Sequence, residues 1–208
     1  DSLMASPNGD KLWDSFLTEA VGKGLKGKQL HNAIPHRRMS ATIYKNYPQG
    51  KITVTDFLLG QYYLYEDALN SQEWNIESDS MKVVLGHECQ KATCSFRGRK
   101  WTAWFALDVP VSDGPLKFCG LPGLIMEVYD RGKQYYFCIN GMQQVSATPI
   151  TFGILDKDFK HFQKTDRKDF LLSKYRYLRN QNSINEASTG ISLGSVDEAL
   201  KYDLIERE

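Results

Sequence analysis

His87 and Cys89 are the residues best placed for metal or thiol chemistry, because residues two apart on a strand point to the same face. A structural zinc site usually has two such closely spaced ligand pairs, and the sequence offers one. The other histidines follow no ligand spacing: His31, His36 and His161. A catalytic thiol needs a nearby base or helix N-terminus, whereas the cysteines here lie in or beside predicted strands. We therefore expect no metal, no cofactor and no catalytic residue.

The four cysteines are even in number, which allows disulfides in an oxidising compartment. Cys89 and Cys94 are five residues apart and face opposite sides of an unbroken strand, so a bond between them needs a bulge or bend. Pairing either of them with Cys119 or Cys138 on another strand is geometrically easier. We hypothesise at least one cross-strand disulfide among the four. Three full pairings exist, and buried free thiols are the alternative.

Phosphate-binding and hydrolytic motifs are missing from the sequence. Gly120-Leu121-Pro122-Gly123 is not followed by Lys and Ser or Thr, as a phosphate-binding loop would be. There is also no Gly-x-Ser-x-Gly elbow. Four carboxylates near predicted turns are interpreted as solvated surface: Asp108, Asp113, Glu127 and Asp130. These observations favour a protein that is not an enzyme.

Aromatic residues with basic neighbours form the most suggestive group. Trp101 and Phe105 point to one face of their predicted strand and Trp104 to the other, with Arg97 and Arg99 at the preceding turn. Stacked aromatics beside arginine could bind single-stranded nucleic acid or a sugar. However, Lys+Arg 26 against Asp+Glu 25 gives a net charge of +1, so we expect no nucleic-acid partner. The other interpretation, favoured for Trp101 and Phe105, is that one face joins the core while the other face is shielded by a helix or lined by a ligand.

The predicted strands at 101–106 and 124–129 are apolar on both faces, so each face must be covered. A curved antiparallel sheet with an apolar concave side forms a groove for a lipid, a peptide or another apolar small molecule. The residues expected to line or shape this groove are Trp101, Trp104, Phe105, Phe118, Leu121 and Met126.

The turn before residues 124–129 contains residues that favour a particular turn type. Pro122 suits position i+1 of a type II turn, and Gly123 suits position i+2, where φ must be positive. We therefore assign structural roles to Gly120, Pro122 and Gly123.

Helices are predicted at both ends of the chain. Apolar residues at helical spacing indicate a helix over 10–21, followed by a basic, glycine-rich loop over 22–38. A second helix is predicted over 166–179. Residues 195–198 have a capping-box pattern, but the segment behind them is too short to be stable alone.

The chain between the helices reads as strands. From about Met39 onward, turns recur every ~8–15 residues, which is typical of an antiparallel meander. Phe57–Tyr65 is assigned to strand in its later half, and Ile150–Ile154 adds a last strand. The prediction is an α+β fold with a twisted antiparallel sheet of roughly six to nine strands, covered by the terminal helices.

Size and composition are those of a globular protein with one good core. The 208 residues are 41% hydrophobic and 25% charged. No apolar run approaches the ~20 residues that span a bilayer, so we do not expect a membrane-spanning protein. The chain begins Asp1-Ser2-Leu3 without an initiator Met, which we interpret as a mature or trimmed form.

Ordered motifs in the middle of the chain resemble a known family. They are Leu85-Gly86-His87-Glu88-Cys89-Gln90-Lys91-Ala92-Thr93, Phe96-Arg97-Gly98-Arg99, Trp101-Thr102-Ala103-Trp104-Phe105, Gly114-Pro115, Lys117-Phe118 and Gly120-Leu121-Pro122-Gly123-Leu124-Ile125. Together they resemble the GLPGLI family, also called the Porph_ging domain, over about residues 74–142. Residues 201–206 are similar to the Asn-Pro-Ile-Glu ending of many members, with Asp203 and Leu204 in place of Asn and Pro.

The resemblance implies a secreted or periplasmic protein of Bacteroidetes-type bacteria, with its signal peptide removed, and it makes disulfides more plausible. It implies no reaction, because the family is one of unknown function. His87 stands where the family is expected to have an aromatic residue such as Tyr, so no role for it is carried over.

The sequence thus predicts a single domain over 1–208, with a helix and loop over 1–38 and a helical region and tail over 156–208. Its sheet is expected to be strongly curved, or a partly open β-barrel similar to lipoprotein carriers. The expected function is a non-enzymatic extracytoplasmic binding or carrier module for an apolar ligand, of undetermined oligomeric state. The alternatives are a cell-envelope enzyme, hydrolytic or thiol-dependent, and an assembly partner that pairs through a sheet edge.

Overall fold

The computed structural model describes residues 9–25, 29–30, 33, 40–146, 161–189 and 204–207. Within these ranges lie helices α1 (Gly9–Gly22) and α2 (Arg167–Thr189). The strands are β1 Thr42–Lys45, β2 Lys51–Leu58, β3 Gln61–Ala68, β4 Asn75–Val84, β5 His87–Phe96, β6 Arg99–Ala106, β7 Leu124–Asp130, β8 Tyr136–Cys138 and β9 Gln163–Lys164. The fold is therefore mostly β with two helices, as an α+β class requires.

The strands form two sheets rather than one. The first has the order β1-β2-β3-β9, and the second has the order β4-β5-β6-β7-β8. Every pair is antiparallel except β3 with β9. Residues 69–74, between β3 and β4, are not part of a strand, so the meander is interrupted there. The described strands form no closed barrel.

The second sheet buries residues on both faces. Alternation along β6 places Trp101 and Trp104 on opposite sides. We call one side the Trp101 face, whose buried residues are Ala92, Cys94, Phe96, Trp101, Ala103, Phe105, Phe118, Leu121, Ile125 and Val128. We call the other the Trp104 face, whose buried residues are Val84, Cys89, Ala106 and Met126, with Trp104, Val109, Leu124 and Ile139 partly buried around them.

The hexapeptide Gly120–Ile125 differs from its prediction. Gly120 has a φ of +90°, but the φ of Gly123 is not positive, so the type II turn assignment is wrong. A Cβ atom on Gly123 would lie 2.0 Å from the carbonyl oxygen of Ala106. Glycine is needed at position 123 because the main chain at the end of β6 passes too close for any side chain.

The helices agree with the prediction at their starts. Helix α1 covers the predicted 10–21. Helix α2 starts within one residue of its prediction and runs on to Thr189, with non-helical dihedral angles at Asn180. Phe170 of α2 is buried, and its ring lies 5.5 Å from that of Tyr63 and 5.6 Å from that of Tyr65.

The chain divides into two compact units. One contains α1 and the part of α2 from Ser173 onward, and the other contains the nine strands, residues 167–172 and residues 204–207. Among the described helices, none is long and apolar enough to cross a membrane. The predicted strand at 150–154, the capping box at 195–198, most of the loop at 22–38, and His31 and His36 lie outside the described residues.

Candidate ligand-binding face

Four of the six residues expected to line a groove are part of the hydrophobic core. Trp101, Phe105, Phe118 and Leu121 are at most 2% exposed on the Trp101 face. The ring of Phe118 lies 4.6 Å from that of Trp101 in an edge-to-face arrangement. Met126 is also buried, on the Trp104 face. Trp104 is only partly buried, so it is the residue of the six that solvent reaches most readily.

Trp104 lies at the centre of its face because of the strand register. Lys91 of β5 and Glu127 of β7 stand directly beside it, and Cys138 of β8 follows Glu127. The indole Nε1 of Trp104 is buried and has no hydrogen-bond partner among the described residues. An unpaired buried donor costs about 1–3 kcal/mol, so a movement of the ring that brings this N–H to an acceptor would be favourable.

Charged groups surround the ring of Trp104. The ammonium of Lys82 lies 4.9 Å from the ring centroid and 2.5 Å from the carboxylate of Glu127. Lys91 pairs with Glu77 at 2.8 Å. Glu127 is 7% exposed and Asp130 is 4% exposed, so the predicted solvated position is wrong for both. The Lys82–Glu127 pair therefore positions a cation against an aromatic face, a favourable arrangement.

Tyrosines extend the Trp104 face toward β8. Tyr129 and Tyr136 stack with their ring centroids 6.0 Å apart. Partial desolvation of this half-exposed phenol, followed by the negative charge of Glu127, raises the pKa of Tyr136 to about 12. The phenol is therefore neutral at physiological pH, where it both donates and accepts hydrogen bonds. The Trp104 face therefore combines buried apolar side chains with aromatic rings and with polar groups at its edges.

All four cysteines are free thiols, so the hypothesised cross-strand disulfide is not formed in this structure. Cys94 faces the Trp101 side, and Cys89 faces the Trp104 side. Cys138 shares the side of Cys89 but is three strands away, about 14 Å at the spacing of a sheet. Burial raises the pKa of Cys94 to about 12, and also raises those of Cys89 and Cys119. These three are buried thiols rather than nucleophiles.

His87 has an acidic partner that the sequence did not indicate. Its Nδ1 lies 2.7 Å from Oδ2 of Asp108, and both side chains are partly exposed. The thiol of Cys89 approaches the main-chain oxygen of His87, at 3.5 Å, so it is not paired with the imidazole. Among the described residues, no group of three His, Cys, Asp or Glu is arranged to hold a metal ion.

A buried charge cluster was also missed by the sequence analysis. It consists of Asp67, Arg97, Lys117, Arg167 and Glu206. The ammonium of Lys117 lies 2.7 Å from Asp67 Oδ2 and 2.5 Å from Glu206 Oε1. It also donates to the hydroxyl of Tyr65 at 3.2 Å. Burial, followed by the charges of Glu206 and Asp67, raises the pKa of Tyr65, so this phenol is neutral.

Replacing Trp101 or Trp104 by phenylalanine tests whether the two tryptophans contribute differently to stability. Trp101 Nε1 donates to the carbonyl of Phe96 at 3.1 Å in the core, so Trp101→Phe loses this bond and leaves a cavity. We expect it to lower the free energy of unfolding by about 2 kcal/mol. Trp104→Phe removes a donor without a partner, so we expect a loss below about 1 kcal/mol. Urea unfolding measures both, and equal losses would contradict the assignment of the two faces.

No curated protein matches this chain. Two solved structures of PNGF-II, in different space groups, are similar to it. One is 16% identical with a TM-score of 0.39, covering 59% of this chain and 22% of that chain. The other is 18% identical with a TM-score of 0.37, covering 60% and 23%. This chain thus spans less than a quarter of the PNGF-II chains.

Residues 97–127 match the family model described as "Protein of unknown function (Porph_ging)", and this match confirms the resemblance of the chain to that family.

Proposed function

We propose that this protein is a secreted or periplasmic, non-enzymatic binding or carrier module that holds an apolar ligand, a lipid or a peptide, against the Trp104 face. The observation that supports the proposal is the state of Trp104. Its ring is partly exposed above buried Met126 and Ala106, and its Nε1 has no partner among the described residues.

The chemistry of the Trp104 face suggests the kind of ligand. An apolar chain would cover the ring and the side chains around it, and burying its surface stabilises the complex by about 25 cal/mol per Å². A carbonyl, carboxylate or hydroxyl oxygen on the same ligand would accept a hydrogen bond from Nε1 once the ring turns to bring this buried N–H to the surface. Lys82 lies close enough to favour an anionic head group. A fatty acid or an apolar peptide has both features.

We further propose that the second sheet is the curved part of a partly open barrel of the lipoprotein-carrier type. The support for this is local. The register between β6 and β7 shifts between Trp104 and Phe105, and the register between β4 and β5 shifts between Glu77 and Met81. Such bulges bend the strand that contains them and increase its twist.

Binding of a dansyl-labelled fatty acid tests the proposed function. We expect the dansyl emission to rise with the wild-type chain and the affinity to fall about tenfold in Trp104→Phe, which keeps an aromatic ring but loses the donor. The matched control is Val83→Ala, because Val83 is 67% exposed and alternates away from the Trp104 face. Equal affinity of the wild type and Trp104→Phe, or no binding to the wild type, would contradict the proposal.

A cell-envelope enzyme is the second candidate function, and the His87–Asp108 pair is the observation that favours it. A carboxylate that orients an imidazole is the arrangement a general base requires. The raised pKa of buried Cys89 argues against a thiol nucleophile beside it. Hydrolysis of an ester or amide substrate that is lost in His87→Ala would establish this candidate in place of the first.

A further inference from the structure

The segment Leu204–Arg207 is held by its own chain through bonds to its main chain, as a receptor holds a peptide. Arg99 donates from Nε to the carbonyl of Ile205 at 2.9 Å and from Nη2 to the carbonyl of Leu204 at 2.8 Å. The main-chain N–H of Arg207 donates to the carbonyl of Arg97 at 3.1 Å. These bonds are made to main-chain atoms, so they hold a peptide backbone without regard to its side chains.

Arg99 is held in position for this contact by residues outside the segment. Its side chain is only 2% exposed and pairs with Asp130 at 2.9 Å. It also donates to Gln134 at 3.1 Å and lies over the ring of Tyr135 at 4.7 Å. Because these partners lie within residues 130–135, the guanidinium keeps its direction whether or not a peptide is bound.

Two side chains of the segment fit separate parts of the site. Ile205 packs against the core of the Trp101 face. Glu206 enters the buried charge cluster, where its Oε1 lies 2.5 Å from Lys117 and its Oε2 lies 3.4 Å from Arg167. An apolar residue followed by glutamate is therefore the pattern that this site recognises.

The charges of the cluster require an acidic occupant. The permanent members are three cations, Arg97, Lys117 and Arg167, and one carboxylate, Asp67. Without Glu206, two positive charges would be left uncompensated in a buried site, which is strongly unfavourable. The segment can therefore leave only if another anion takes its place.

Glu206 does not satisfy the cluster completely. Nε of Arg97 is buried without a hydrogen-bond partner among the described residues, and Glu206 Oε2 is 3.8 Å away from it. A buried donor of this kind calls for an explanation, and a better-fitting carboxylate supplies one. The site is thus occupied by a ligand that leaves one of its donors unused.

We propose that this site is a receptor for peptide segments in which an apolar residue precedes a glutamate, and that Leu204–Arg207 is the occupant supplied by the chain itself. The partner is the same segment of a second copy of this chain, because this is the peptide whose fit to the site the structure shows. The proposal is independent of the Trp104 face, because Ile205 packs on the opposite side of the sheet.

A tethered occupant competes with any added peptide at an effective concentration on the order of millimolar. The test therefore weakens the tethered segment within the full chain. Glu206→Gln keeps the shape of the side chain and removes its charge. The probe is a fluorescein-labelled synthetic peptide with the sequence of residues 203–208, and its matched control has glutamine at the position of Glu206.

We expect fluorescence anisotropy to show that the acidic peptide binds the Glu206→Gln chain at least tenfold more tightly than it binds the wild type, and that the glutamine peptide does not bind. Equal binding of both peptides, or equal binding to both chains, would overturn the proposal.

Should Glu206→Gln fail to fold, Ile205→Ala replaces it, since this variant keeps the carboxylate and loses the apolar anchor. It too should bind the acidic peptide more tightly than the wild type, and no gain would again overturn the proposal.

Discussion

Gly123→Ala should lower the free energy of unfolding by about 3 kcal/mol, the upper part of the range for overpacking a well-packed site. The added Cβ would lie 2.0 Å from the oxygen and 2.7 Å from the carbon of the Ala106 carbonyl. Both are main-chain atoms at the end of β6, where Ala106 is paired with Cys89 on one side and Leu124 on the other. A main chain held on both sides has little room to move. Urea denaturation of the two chains gives the difference directly.

Gly120→Ala is the matched control within the same hexapeptide. Gly120 has a φ of +90°, but the nearest atom to its added Cβ is Asn70 Oδ1, at 3.6 Å. The alanine would therefore meet only the cost of a left-handed backbone, about 1 kcal/mol. If Gly123→Ala were no more harmful than Gly120→Ala, close approach would be the wrong explanation for Gly123.

The error over Gly123 shows what local patterns leave open. A positive φ and a close approach of another chain segment both select glycine. The order Pro122-Gly123 fits the first reason, whereas the second depends on Ala106, seventeen residues earlier in the chain. The sequence therefore predicts where the chain turns, but not which constraint makes the glycine necessary.

The hairpins illustrate the same limit. Arg97-Gly98 was predicted as a turn, and both residues have positive φ, as a two-residue type I′ hairpin requires. Leu59-Gly60 and Leu85-Gly86 have the same dihedral signs. Leucine has no preference for positive φ, so the glycine is the only residue that indicates a turn at either of these positions. The meander was nevertheless predicted, because enough other turns recur at the short intervals of an antiparallel sheet.

Alternation also decided how much of the candidate site could be predicted. It placed Trp101 and Trp104 on opposite faces correctly, since the period of a strand is two. It could not tell which face is covered, because Phe118 and Leu121 reach the Trp101 face from a segment outside any strand. Residues of both faces were therefore predicted to line a groove, although only one face keeps an accessible tryptophan.

The buried charge cluster lies beyond any pattern in the sequence. Its members come from β3, the β5–β6 hairpin, the segment before β7, helix α2 and the C-terminal segment. Lys117 reads in the sequence as an ordinary surface lysine between Leu116 and Phe118. Its burial depends on carboxylates 50 and 89 residues away, at Asp67 and Glu206. Only tertiary structure brings such groups together.

Asp67→Asn should destabilise the protein by about 3–5 kcal/mol, the cost of removing one partner from a buried ionic group. Asp67 accepts a hydrogen bond from Arg97 at 3.0 Å and one from Lys117 at 2.7 Å, and its Oδ1 lies 3.6 Å from Nε of Arg167. An asparagine of the same shape would oppose three cations with no charge, and its NH₂ group would face one of their donors. Chemical denaturation measures the loss.

The neighbouring residue provides the control for Asp67→Asn. Glu66 on the same strand pairs with Lys51 at 2.5 Å, but the two side chains are 38% and 51% exposed. An exposed pair contributes less than about 1 kcal/mol, so Glu66→Gln should leave the free energy of unfolding almost unchanged. Added salt should weaken this exposed pair further and leave the loss from Asp67→Asn largely intact, because buried charges are screened less. Similar losses from both variants, or a loss from Asp67→Asn that salt abolishes, would mean that the cluster is solvated.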